Sequence, residues 1–219
     1  MRAGKTTTAL ALAVVLLLGG SRASAHRLDE YLQAARLKID PAHVEFQLDL
    51  TPGVAVADSV IADIDRDRDG VLSADERHAY VEQVMRAISL DVDGLPLRVR
   101  SVGSTFPDVQ AFRRGEGTIE LRGDVSLPPL AEGAHQLSYR NANRPDVSVY
   151  LANALVPESD RVAVHVQRRD TDQRELTIDY ELRPQPSASP DAWLWLGLAC
   201  SLALAALAGL RAQRLTAFP

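Results

Sequence analysis

The segment His43-Val44-Glu45-Phe46-Gln47-Leu48-Asp49-Leu50 alternates polar and apolar side chains at every position. Successive side chains of a β-strand point to opposite faces of a sheet, so this period of two predicts a strand with one buried face. Asp93-Gly94, further along, is typical of a hairpin turn. We expect further strands near residues 89–92, 97–102, 117–125, 134–140, 147–155, 161–168 and 174–182. This spacing predicts a mainly β fold, an antiparallel sandwich.

Helical periodicity replaces the alternation after the second strand, over residues 54–88. Ser73, followed three residues later by Glu76, is the sequence signature of a capping box at the start of a helix. The pattern therefore predicts a helix-loop-helix inserted into the β fold. Its apolar stripes would be Val56, Val60, Ile61 and Ile64 on the first helix, and Tyr80, Val81, Val84, Met85 and Ile88 on the second.

The loop between the two predicted helices carries oxygen donors at the spacing of a calcium loop. Calcium takes six to eight oxygen ligands, which a short segment supplies from positions 1, 3, 5, 7, 9 and 12. Gly70, at position 6, permits the sharp turn, and Leu72 would anchor the loop to the packing behind it. The candidate ligands are Asp65, Asp67, Asp69, the backbone carbonyl of Val71, Ser73 and both side-chain oxygens of Glu76.

This loop and its flanking helices resemble the EF-hand family, over residues 54–88 of the chain. The resemblance implies Ca²⁺ as the bound ion. EF-hands usually work in pairs, whereas this sequence has one such loop, and Arg66 and Arg68 partly offset the charge of the ligands. We therefore expect weak binding, with a dissociation constant of about 10⁻⁴–10⁻³ M, which suits a site outside the cytoplasm.

Both ends of the chain predict export and membrane attachment. Arg2 and Lys5 precede an apolar run at residues 9–18, and Ala23-Ser24-Ala25 gives a small-x-small cleavage signature, as in a signal peptide over residues 1–25, so the mature chain would begin at His26. Residues 193–210 form an uncharged apolar run long enough to cross a bilayer, after a Pro/Ser-rich linker at 183–192. By the positive-inside rule, residues 211–219 would form a cytoplasmic tail.

These segments predict a type I single-pass membrane protein whose ectodomain, residues 26–182, is periplasmic or on the cell surface of a bacterium. An alternative is that Pro184-Gln185-Pro186, the apolar run and the terminal arginines form a cleaved sorting tag, since they resemble signals cut by exosortases. Cys200 lies within the predicted membrane helix, so we expect no disulfide in the ectodomain.

The charge balance disfavours nucleic acid as a partner. Five of the 24 basic residues lie in the predicted signal peptide and tail, so the 29 acidic residues outnumber the other 19 by ten. The membrane is the predicted partner, and the protein partner stays open between a membrane transporter and a surface assembly. The segments 26–33 and 50–54 are similar to the extracytoplasmic part of HupE/UreJ-type metal transporters, without that family's multi-helix membrane domain.

No catalytic motif stands above background, so we predict a protein that is not an enzyme. The favoured function is a calcium-binding module in which the ion acts as a structural staple, and a calcium-dependent sensor is the first alternative. The second alternative is a copper or other transition-metal protein, in which the amine and imidazole of His26 chelate the ion and His43 or His165 completes the site. His135 shares a predicted face with Leu137 and is interpreted as packed in the core.

Overall fold

A computed structural model describes residues 29–185 of the chain. Residues 29–182 belong to one compact unit. In chain order the elements are β1 (Tyr31–Ile39), β2 (His43–Pro52), α1 (Val54–Ile64), α2 (Ala74–Arg86), β3 (Ile88–Val92), β4 (Leu95–Leu97), β5 (Arg100–Thr105), α3 (Val109–Arg113), β6 (Ile119–Ser126), β7 (Gly133–Asn141), β8 (Ser148–Ala154), β9 (Val162–Arg169) and β10 (Glu175–Leu182).

The strands form two five-stranded sheets, which makes the fold mainly β, as predicted. The first sheet has the order β5-β6-β2-β1-β8 and the second the order β4-β3-β7-β10-β9. All neighbouring strands are antiparallel except β1 and β8, which run parallel. The predicted antiparallel arrangement therefore holds for every pair except this one, in which β8 follows β7 of the second sheet and returns to the first sheet beside β1.

The predicted alternation along β2 is confirmed, since Val44, Phe46, Leu48 and Leu50 are each at most 2% exposed. Phe46 of the first sheet lies 5.9 Å, between ring centroids, from Tyr139 of the second. The inner faces of the two sheets thus share one apolar core, and burying these side chains contributes the main favourable free energy of folding.

The helix pair is inserted where the sequence predicted it. β2 ends at Pro52 and α1 begins at Val54, while α2 ends at Arg86 and β3 begins at Ile88. The two helices and the loop between them therefore carry the chain from the first sheet to the second. The predicted stripes of both helices face the core, with Met85 partly buried and Ile88 already in β3.

Three features of the fold differ from the prediction. The strand expected at 97–102 is two strands in different sheets, because β4 pairs with β3 whereas β5 pairs with β6. No residue range was predicted for β1, and the short helix α3 was not predicted. The hairpin at Asp93-Gly94 is confirmed, with positive φ at both residues (51° and 80°), as a type I′ turn requires.

The predicted signal peptide, membrane segment, cytoplasmic tail and residue His26 lie outside the described residues, as does most of the linker. Within residues 29–185, the structure contains no helix that is both long and apolar enough to span a bilayer.

Candidate calcium site

The loop between α1 and α2 is held at its far end by a capping box. Ser73 Oγ accepts a hydrogen bond from the backbone N–H of Glu76 at 3.3 Å, and the backbone N–H of Ser73 donates to Glu76 Oε2 at 2.9 Å. The predicted box is thus confirmed, and it orients the Glu76 side chain back over the loop.

The near end of the loop is organised by Asp65, which follows the last residue of α1. Its Oδ1 accepts from the N–H of Asp69 at 3.1 Å and its Oδ2 accepts from the N–H of Gly70 at 3.0 Å. Gly70 has φ of 83°, a left-handed conformation that glycine adopts without steric penalty. Arg68 also has positive φ (62°), an uncommon conformation for a residue with a Cβ atom.

Carboxylates of Asp65, Asp67 and Glu76 converge at the centre of this loop. One oxygen from each lies within 4.8 Å of the other two. Two oxygens that are each 2.3–2.6 Å from the same calcium ion can be at most about 5 Å apart, so these three oxygens meet the distance requirement. The structure therefore brings together three of the four predicted carboxylate ligands.

The remaining candidate ligands have other partners in this structure. Asp69 Oδ1 accepts from the N–H of Val71 at 2.7 Å. Ser73 Oγ donates to Glu76 Oε2 at 2.7 Å, within the capping box. The side chain of Val71 is 63% exposed, which agrees with a role limited to its backbone carbonyl. Leu72, predicted to anchor the loop, packs against the core.

The local electrostatics favour a cation. Asp65 is only 6% exposed, and within the described part of the chain no basic side chain forms an ion pair with it. The side-chain and backbone hydrogen bonds from Ser73, with those from the N–H groups of Arg66 and Asp67, lower the pKa of Glu76 to about 2. Glu76 is thus ionised at neutral pH, and its charge adds to that of Asp65 and Asp67.

The donor set fits a hard cation. All candidate ligand atoms are oxygens, and several carry charge, which is the chemistry that calcium and magnesium prefer over imidazole or thiolate sites. Calcium is the better match of the two, because it accepts irregular coordination whereas magnesium requires a near-octahedral shell of smaller radius.

Contacts that the sequence did not reveal fix the helix pair to the sheets. The hydroxyls of Tyr31 in β1 and Tyr80 in α2 share a buried hydrogen bond of 2.7 Å. Arg144, in the loop after β7, donates to Asp63 at 2.8 Å and to the hydroxyl of Ser59 at 3.2 Å, both on α1. These pairs join positions that are 49 to 85 residues apart, so no local pattern could have indicated them.

The histidines considered as metal ligands lie apart from the calcium loop. The carbonyl of Glu30 accepts from the N–H of Gly53, which fixes the chain at the start of β1. His43 lies at the other end of β1, where β2 begins. His26 lies outside the described residues, so its pairing with His43 or His165 stays a prediction. His165 lies 3.5 Å from Glu181.

Ser148, in β8, and His135, in β7, lie in different sheets. Ser148 Oγ accepts from Gln33 Nε2 at 2.6 Å in the first sheet. In the second sheet, His135 bonds to Asp93 and to the carbonyl of Ala131, both at 2.8 Å, and its ring packs 5.6 Å from that of Tyr180. The His135 side chain is only 10% exposed, in agreement with the interpretation of a packed residue.

Comparison of the chain with models of known families, with curated proteins and with solved structures finds no match. The site is therefore assigned from its own geometry and donor chemistry.

Proposed function

We propose that this protein is a calcium-binding, membrane-tethered module outside the cytoplasm, in which the ion stabilises the helix pair. One observation carries the proposal. Asp65 is a buried acidic residue without an ion-pair partner among residues 29–185, and its side chain converges with those of Asp67 and Glu76 in an all-oxygen loop. A bound divalent cation would offset most of the repulsion among three carboxylates held this close together.

A staple fits the helix pair better than a sensor does. A calcium sensor needs an apolar groove that opens on binding. Here the apolar residues of α1 and α2 are already committed to the core, since Val56, Val60 and Ile64, with Tyr80 and Val84 of α2, are all at most 9% exposed. Opening the pair would also break the Tyr31–Tyr80 and Arg144–Asp63 contacts.

The staple need not bind tightly to matter. A ligand that binds only the folded state stabilises it by RT ln(1 + [Ca]/Kd), about 1.4 kcal/mol when calcium exceeds Kd tenfold. Calcium at that excess over a Kd of about 10⁻⁴–10⁻³ M is found outside cells rather than in a cytosol. The weak site and the predicted export signal therefore support the same compartment.

Calorimetry of the full chain with and without the substitution Glu76→Gln tests the calcium site. We expect one calcium ion per wild-type chain and at least about tenfold weaker binding by the variant, because Glu76 would supply two ligand oxygens. Glu82→Gln is the matched control, since Glu82 is an exposed glutamate of the same helix that, among the described residues, forms ion pairs only with His78 and Arg86. Equal calcium affinity of the wild type and Glu76→Gln would contradict the proposal.

The tether is tested separately by intact mass of the protein extracted from membranes. We expect loss of residues 1–25 and retention of the segment 193–210. A product that ends within the linker would show instead that the C-terminal segment is a cleaved sorting tag.

A further inference from the structure

A second cluster of possible metal ligands lies at the turn between β1 and β2, away from the calcium loop. The N–H of Asp40 donates to the carbonyl of His43 at 2.8 Å, which closes the turn. His43 Nε2 then lies 3.4 Å from Asp40 Oδ2 and 3.9 Å from Glu45 Oε1. Within residues 29–185, this is the one group with three mutually close ligand atoms that includes an imidazole.

The spacing of these atoms matches a small cation that is intermediate between hard and soft, such as zinc. Ligand atoms about 2.0–2.1 Å from a tetrahedral zinc ion are about 3.3 Å apart. The separation of His43 Nε2 from Asp40 Oδ2 is already near that value, and Glu45 Oε1 needs to approach His43 Nε2 by about half an ångström. One imidazole with two carboxylates is a donor set for zinc and similar ions, whereas calcium takes oxygen ligands alone.

We propose that Asp40, His43 and Glu45 form a binding site for a divalent transition-metal ion such as zinc, distinct from the calcium loop. The three side chains supply one nitrogen and two oxygen ligands. The side chains of His43 and Glu45 are 41% and 53% exposed, so solvent water has access to the fourth position. The site therefore has the open coordination of a metal that can take a further ligand.

Lys38 forms an ion pair with Glu45 and so affects how readily the Glu45 carboxylate can bind a metal ion. Its Nζ lies 2.8 Å from Glu45 Oε1 and 2.9 Å from Glu158 Oε1. When a metal takes the Glu45 carboxylate, Lys38 keeps Glu158 as a counter-charge, so no ammonium group is left unpaired. Lys38 and the metal ion nevertheless compete for Glu45, and removal of the lysine charge should tighten metal binding.

A different histidine of the same chain provides a matched control. His165 Nε2 lies 3.5 Å from Glu181 Oε2, and its side chain is 54% exposed, close to the values for His43. Within the described residues it belongs to no group of three ligands. An ordinary histidine–carboxylate ion pair would behave alike at both positions, whereas a metal site would distinguish them.

The test is zinc titration of the full chain by calorimetry in excess calcium, which keeps the calcium loop occupied. We expect one zinc ion per chain and at least about tenfold weaker binding by His43→Gln and by Asp40→Asn, since each removes a direct ligand. His165→Gln should bind as the wild type does, and Lys38→Met should bind more tightly. Thermal melting without zinc should be nearly the same for His43→Gln and the wild type, which excludes misfolding as the cause.

A spectroscopic readout separates coordination from a merely structural role. On zinc addition, the imidazole ¹⁵N resonances of His43 should shift, whereas those of His165 should not. Absence of zinc binding by the wild type, or unchanged affinity of His43→Gln, would overturn the proposal. Zinc binding that persists in His43→Gln but is lost in Glu76→Gln would place the metal in the calcium loop and would overturn it equally.

Discussion

Asp65 and Asp67 are both candidate carboxylate ligands, but they contribute differently to the structure of the loop. Asp65 is buried and uses both oxygens to accept backbone N–H groups, so it shapes the turn whether or not a cation is bound. Asp67 is exposed and uses its Oδ1 to accept from Asp69 N–H at 3.2 Å. Substitution of Asp67 therefore changes the charge of the site with little effect on the turn.

Asp67→Asn should separate calcium binding from folding. The amide oxygen of asparagine can still accept from Asp69 N–H, but the ligand charge is lost, so we expect calcium affinity to fall at least about tenfold. In chelator, urea unfolding should give a free energy within about 0.5 kcal/mol of the wild type. Asp75→Asn, an exposed substitution in the first turn of α2, should change neither quantity appreciably. Unaltered calcium affinity of Asp67→Asn would remove Asp67 from the ligand set.

His135 is a second residue whose charge matters to the fold. Both ring nitrogens lie 2.8 Å from acceptors, Asp93 Oδ2 and the carbonyl of Ala131, so only the doubly protonated imidazolium satisfies both. Burial opposes that charge, but the hydrogen bonds to Ala131 and Asp93 outweigh it and raise the pKa of His135 above its ordinary value of 6.5. The same contact, working against burial, lowers the pKa of Asp93.

Stability should therefore fall as the pH rises through the raised pKa of His135. A histidine with a raised pKa in the folded state contributes its full stabilisation below the unfolded value, and this contribution is lost at higher pH. Urea unfolding between pH 6 and pH 8.5 should show this decline in the wild type and a flatter profile for His135→Gln. The control His78→Gln, at a position 76% exposed, should keep the wild-type slope. An identical slope in His135→Gln would contradict this interpretation.

The strands differ in how well the sequence predicts them. β2 is readable because only its inner face is apolar. β1 is harder to recognise, because its inner face includes the buried polar Gln33 while its outer face carries Leu32 and Ala34, which blurs the alternation. β5 has no buried residue at all, so its place at the sheet edge depends on pairing with β6 rather than on its own pattern.

The convergence of carboxylates in the loop between α1 and α2 was predictable for the opposite reason: all the candidate ligands lie within twelve residues, and local backbone geometry brings Asp65, Asp67 and Glu76 together. The contacts that attach the helix pair to the sheets were not predictable. They join Tyr31 to Tyr80 and Asp63 to Arg144, which meet only once the sheets are formed. The ligand set of the second cluster could not be predicted either. His43 stands at a polar position of the alternation along β2, which is typical of a residue that faces solvent. Asp40 comes close to it only through the turn between β1 and β2.

The tyrosine pair should reveal how firmly α2 is held against β1. Burial raises the pKa of Tyr80 to about 12, so its hydroxyl stays protonated at neutral pH, and it has Asn143 as a second partner. Tyr80→Phe removes the hydrogen-bond partner of the buried Tyr31 hydroxyl, whereas in Tyr31→Phe the Tyr80 hydroxyl keeps Asn143 as a partner. We expect Tyr80→Phe to lower the free energy of unfolding by about 1–3 kcal/mol and Tyr31→Phe by less.

The double variant completes a cycle that measures the coupling of the two hydroxyls. Tyr31→Phe removes the hydroxyl that Tyr80→Phe leaves unpaired. The loss of unfolding free energy in the double variant should therefore be smaller than the sum of the losses in the single variants. Urea unfolding of the four proteins in chelator gives this coupling free energy. Simple additivity would mean that the hydroxyl contact contributes nothing to holding α2.

The helix pair is one of the covalent links between the two sheets, but the sheets also meet through their own core. Phe46 and Tyr139 pack across the interior without help from α1 or α2. The loop with its carboxylates, by contrast, is exposed from Arg66 to Val71 and depends on Leu72 and the helix ends for attachment. Removal of calcium should therefore loosen the helix pair before the sheets.

Hydrogen exchange with and without chelator tests this order across the whole molecule. Without the ion, Asp65, Asp67 and Glu76 repel one another, with the exposed Arg66 and Arg68 nearby to offset them only in part. We expect chelator to reduce protection within about residues 54–88, to lower the melting temperature and to leave β2, β7 and β10 protected. Glu76→Gln should exchange alike in both conditions. If chelator instead exposed new apolar surface to a dye at an unchanged melting temperature, calcium would act as the trigger of a sensor rather than as a staple.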